Sequence, residues 1–153
     1  MPTADTLTEL SERLRRLEDI EEIRRLYVDY GRHLDDGDPV AYASLFAREA
    51  KLRIGPVLRA DGREEIARAA AQMLGNRSPG EEKSSVHLID TPRIELSGGD
   101  SASGECVWTA VAKGKDGAAP SVLVGRHVDE FVREDGHWRF AVRRGFIDIG
   151  ALG

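Results

Sequence analysis

The sequence predicts an α+β fold. Three observations carry that prediction. Apolar residues at helical spacing fill the first part of the chain, strand patterns fill the last part, and 153 residues leave room for one domain.

Residues 8–35 place Leu10, Leu14, Leu17, Ile20, Ile23, Leu26, Tyr27, Tyr30 and Leu34 at steps of three and four, the mark of an amphipathic helix. Residues 1–8 are expected to be flexible. "DDGD" ends the pattern, with Gly37 suited to a helix C-terminus and Asp38-Pro39 to the cap of a second helix over 39–47. Residues 50–59 read as extended and "ADG" at 60–62 as a turn. "REEIARAAAQML" at 63–74 reads as a third helix, and 75–83 as a loop long enough to act as a lid. Strands follow over 84–96, broken near Pro92, then over 101–113, 121–134 and 137–149, with Asp135-Gly136 as a hairpin turn. Such strands form a curved antiparallel sheet, and folding it over the long first helix leaves a cavity between them.

Composition narrows the function. The net charge is -5 and no basic stripe exists, which argues against nucleic acid as a partner. The single cysteine, Cys106, allows no internal disulfide. No apolar run approaches ~18 residues, so no membrane span is expected. "MPTADTLTEL" lacks a basic start and an apolar segment, so a cytoplasmic location is expected. No cofactor is expected, since neither a Walker nor a Rossmann glycine pattern is present. No metal is expected either: histidine pairs at zinc spacing are missing, and "DDGD" puts Gly37 where a calcium loop needs a ligand.

The titratable candidates are few. His87 lies in the apolar strand "SSVHLID", on the face of Ser85 and Ile89. It is either a satisfied core residue or a site residue facing a cavity. Asp35 closes the first helix, where the helix dipole disfavours an anion, and pairing with an imidazole would give it a reason to be there. Tyr30 is either a core aromatic or a phenol that hydrogen-bonds a substrate oxygen. His127 could line the cavity or sit on an outer face. His33 and His137 read as surface residues. Tyr30, Leu58, Met73, Trp108 and Phe146 are expected to line a mostly apolar pocket, suited to a small hydrophobic ring compound.

The stretch "LEDIEEIRRLYVDYGRHLDDGDPVAYASLFAREA", with "GREEI" at 62–66, "VHLIDTPRIEL" at 86–96 and "GRHVDEFVREDGHWRFAVRRG" at 125–145, resembles SnoaL-like proteins of the nuclear transport factor 2-like superfamily. The resemblance covers about residues 17–149. It implies a cone-shaped α+β barrel with a deep pocket. Within the superfamily the chain looks most like scytalone dehydratase, bile-acid dehydratase and hexachlorocyclohexane dehydrochlorinase, which are cofactor-free lyases and typically trimers. The resemblance therefore implies a homo-oligomer, a trimer before a dimer. It carries an Asp–His dyad onto Asp35 and His87, a catalytic tyrosine onto Tyr30, and a pocket arginine onto Arg143. His127 stands where relatives often have tyrosine, and Ala110 where the bile-acid enzyme has an acid. The implied function is a dehydratase-type lyase. An isomerase or polyketide cyclase with the same dyad, and a ligand-binding module without catalysis, are the alternatives.

Overall fold

A computed structural model describes residues 1–75 and 81–150. Most of the expected lid loop, residues 76–80, and the last residues, 151–153, lie outside the described residues.

The first helix, α1, spans Ala4–Asp36. It starts earlier than the apolar pattern because Thr3 caps it, accepting from the Thr6 amide at 3.2 Å. Gly37 ends it with a left-handed φ of 70° that a side chain would disfavour. Asp38 then caps α2 (Pro39–Ser44), accepting from the Ala41 amide at 2.9 Å. Next come β1 (Phe46–Ile54), β2 (Leu58–Asp61) and α3 (Arg63–Leu74). The strand run consists of β3 (Ser85–Ile89), β4 (Arg93–Leu96), β5 (Ser101–Ala112), β6 (Ser121–Glu134) and β7 (His137–Ile149).

The order β2-β1-β7-β6-β5-β3 makes one sheet, with β4 also paired to β5. The architecture is α+β, three helices on a seven-stranded sheet. The expected α+β arrangement of helices on a sheet is found, and two details differ from a cone-shaped antiparallel barrel. The sheet is open, and β1 runs parallel to β7. Crossing from β1 to its neighbour takes the chain through α3 and the rest of the sheet, a connection long enough for parallel pairing.

Strands β3 and β4 are two halves laid along β5. Pro92 interrupts them because it has no amide to give the ladder. Asp90 bridges the gap: its amide donates to Val107 at 3.1 Å and its carboxylate accepts from the Val107 amide at 2.9 Å.

The core lies between α1 and the sheet and includes Ile23, Tyr27, Phe46, Leu52, Phe131 and Phe140. Phe140 stacks within 5.0 Å of Phe131 and 5.3 Å of Phe46. A bulge in β7 matters for the site. Phe131 pairs Phe140 while Glu130 pairs Val142, so Ala141 is an extra residue. It lets Trp138 and Phe140 share the inner face with Arg143 and Gly145. Among the described residues no helix is long and apolar enough to cross a membrane.

Candidate active site

Asp35 sits near the end of α1 and His87 at the centre of β3. Gly31, one turn before Asp35, lets helix and strand approach. A Cβ there would lie 3.4 Å from the His87 Cβ. The two residues meet through both carboxylate oxygens. His87 Nδ1 lies 2.6 Å from Asp35 Oδ1, and the His87 amide donates to Asp35 Oδ2 at 2.9 Å. The carboxylate thus fixes the ring from its backbone and from its side chain. The Asp35 side chain is 8% exposed and the His87 side chain 22%. The pair therefore opens to a cavity on the histidine side.

That cavity, of about 340 Å³, is lined by side chains of the helices and the inner sheet face, His87 and Leu34 among them. Its size falls in the range of small-molecule sites. Tyr30, His127, Trp108, Leu58 and Met73 line it as well. The walls are mostly apolar.

Tyr30 is buried and its hydroxyl accepts from the Tyr42 hydroxyl at 3.1 Å. Its own hydrogen is left for another acceptor. Burial raises the Tyr30 pKa above the phenol range, so the group stays a donor at neutral pH. His127 packs edge-on to Tyr30 at 5.4 Å and beside Trp108 at 5.7 Å. A Cβ on Gly145 would come within 3.2 Å of its ring, so the glycine makes room for it. Burial, helped by the Arg143 charge, holds the His127 pKa well below the usual imidazole range.

Two expected pocket residues stand elsewhere. Arg143 is fully buried behind Tyr30, with its guanidinium 3.9 Å from the Tyr30 ring centroid and 4.4 Å from that of Phe140. It pairs with Asp129, its direct cross-strand neighbour on β6, at 3.6 Å. Neither side chain reaches solvent. Arg143 is therefore corrected from a substrate contact to a charge held behind the wall. Phe146 lies on the outer face with Arg126 over its ring at 4.2 Å. Arg143 and Phe146 stand three positions apart in the strand, so both cannot face inward without a further bulge. Arg143 takes the inner face and Phe146 is corrected to the outer one.

Two residues were missed. Tyr42 lies on the short helix α2 and carries no pattern of its own. Asp129 had a signal: it shares strand parity with His127, two residues earlier. Burial pushes its carboxyl up to about 6, while Arg143 pulls the other way. Among the described residues no group of three or more metal-type ligands converges.

The family profile of the SnoaL-like domain matches residues 15–144. The chain belongs to the SnoaL-like family. Solved structures share the architecture. An NTF2-like protein with a cystatin-like fold from Novosphingobium aromaticivorans is 26% identical, with a TM-score of 0.76 over 97% of this chain and 94% of its own. A hexachlorocyclohexane dehydrochlorinase from Novosphingobium barchaimii is 20% identical, with a TM-score of 0.76 over 90% and 92%. A candidate scytalone dehydratase from Novosphingobium aromaticivorans is 22% identical, with a TM-score of 0.75 over 89% and 88%. No curated protein sequence matches. For a SnoaL-like domain the fold alone does not fix the chemistry. The site residues have to carry it.

Proposed function

We propose that the protein is a cofactor-independent lyase of the dehydratase type, acting on a neutral, hydrophobic, ring-containing small molecule. The observation that carries this reading is the hold of Asp35 on His87 through Nδ1 and through the backbone amide. It leaves Nε2 as the basic nitrogen.

In this reading His87 takes a proton from carbon next to an activating group. The C–H electron pair becomes the new double bond as the neighbouring carbon–oxygen bond breaks. Asp35 balances the imidazolium charge. The imidazolium returns its proton to the departing hydroxyl, which leaves as water. Tyr30 donates a hydrogen bond to a substrate oxygen, and the uncharged His127 offers a second polar contact. Arg143 acts at a distance, as a positive field behind Tyr30 that favours negative charge developing in front of it. The mostly apolar walls, among them Leu34, Leu58, Met73 and Trp108, favour ring substrates. A dehydrochlorinase and a candidate scytalone dehydratase on the same fold lend the reading further support.

The test is a panel of neutral ring alcohols and halides bearing an acidifying carbonyl, followed by mass spectrometry. Loss of water or hydrogen halide is expected. Products of unchanged mass would replace the lyase reading with an isomerase or cyclase. Binding without turnover across the panel would favour a ligand-binding module.

A further inference from the structure

Helix α1 runs beyond the body of the protein. Residues 4–18 are all exposed and span about 22 Å. A helix of this length is marginal in water unless one face is covered. The segment carries Leu7, Leu10, Leu14 and Leu17, each between 50% and 65% exposed. Their 3-4-3 spacing is that of a coiled-coil seam, narrower than the stripe of a helix packed on its own core.

The direction of the seam is informative. Leu10, Leu14 and Leu17 precede Asp19, Ile23 and Leu26 by nine residues each. Nine residues are about two and a half turns, so each leucine lies opposite its counterpart. Those counterparts grip the body. Asp19 accepts from Arg133 and from the Trp138 indole, and Ile23 and Leu26 enter the core. The leucines therefore point away from the protein that carries them. Most of the seam also precedes the matched family region, which starts at residue 15.

We propose that this seam pairs with the same seam of a second copy of the chain, as a parallel two-stranded coiled coil. Charge placement selects this occupant and this direction. With Leu7 and Leu14 at a and Leu10 and Leu17 at d, Arg13 takes a g position and Glu18 the following e position. In a parallel pair, Arg13 of each copy faces Glu18 of the other. An antiparallel pair would set Arg13 beside Arg13. A lipid surface fits less well, because the segment carries four acids against three arginines and interfacial helices favour a basic polar face. The seam is short, so the pairing is reversible and depends on concentration.

Sedimentation equilibrium of the full chain over a wide concentration range tests the proposal. The native chain should show twice the mass of a Leu10→Lys/Leu14→Lys variant. Those leucines lie opposite the docking face, so the variant keeps its fold, which circular dichroism checks. Arg13→Glu should weaken association about tenfold, and Arg13→Glu with Glu18→Arg should restore it. Equal masses for the native chain and the lysine variant, or a native chain monomeric throughout, overturn the proposal. Failure of the double swap to restore association overturns the parallel register.

Discussion

Two carboxylates face a base across the interior of this protein, and their surroundings differ. Asp35 meets His87 at 2.6 Å beside a cavity, with a second oxygen on the His87 amide. Asp129 meets Arg143 at 3.6 Å, fully buried among aromatic rings. The first pair joins an imidazole to open space, which the proposed proton transfer between histidine and a guest requires. The second pair sets a guanidinium that does not deprotonate in a sealed pocket, so it passes no proton to a guest and can only supply a field. In the proposed function, access, more than the presence of charge, separates the reacting group from the fixed one. Tyr30 stands between the pairs, with its ring on Arg143 and its edge in the cavity.

The largest effect is expected at the open pair. Asp35→Asn, with a native circular dichroism spectrum, should lower kcat by about 10²–10⁴-fold on any substrate found, and His87→Gln by as much. Full turnover by folded Asp35→Asn would sink the proposed mechanism. At the sealed pair the damage should fall on stability. Asp129→Asn leaves a buried cation uncompensated and should cost about 3–5 kcal/mol in urea denaturation. Asp129→Leu with Arg143→Met removes both charges and should recover most of that loss. A single variant no worse than a surface substitution would contradict the reading of a coupled buried pair.

A smaller effect links the two regions through pH. The folded state holds His127 uncharged, while the unfolded chain takes up a proton below about 6.5. Its contribution is complete above that pH and is lost as pH falls, by at most about 1.4 kcal/mol per pH unit. Asp129 works in the opposite sense. Its carboxyl rises from 3.8 to about 6 on folding, so its contribution is lost as pH rises through that window. Comparing urea midpoints of the native chain and His127→Gln at pH 7 and pH 5 isolates the histidine. The variant should show the shallower loss on acidification. The smallest effect is expected for Tyr42→Phe, which removes the donor to Tyr30 and should cost about 0.5–1.5 kcal/mol.

Much of this arrangement was legible in the chain. The three helices and the strand run followed from periodicity, Gly37 and Pro39 marked the first turn, and strand alternation put His87 on the face of Ser85. Asp35 was suspicious because an acid closed a helix. What periodicity could not reach was the pairing across the fold. The parallel contact of β1 with β7 depends on distant residues, and no local pattern encodes it. The fate of Arg143 depended on Ala141, an ordinary residue that becomes a bulge only because of what β6 sets against it. The placement of Phe146 failed for a plainer reason: it stands three positions from Arg143 with no bulge between them, so alternation leaves room for only one of the two on the inner face.

That bulge has a consequence for how the protein could change. Removing Ala141 alone would leave Phe140 opposite Phe131 and bring Val142 and Arg143 into a regular ladder with Glu130 and Asp129. The strand carries a spare residue there, so that loss would spare the inner face. Losing Arg144 instead has no surplus to draw on, and would turn Gly145 outward and Phe146 inward. His127 would then lose the gap that Gly145 provides. Two deletions three positions apart would thus have opposite fates, one absorbed and one rewriting the lining of the cavity.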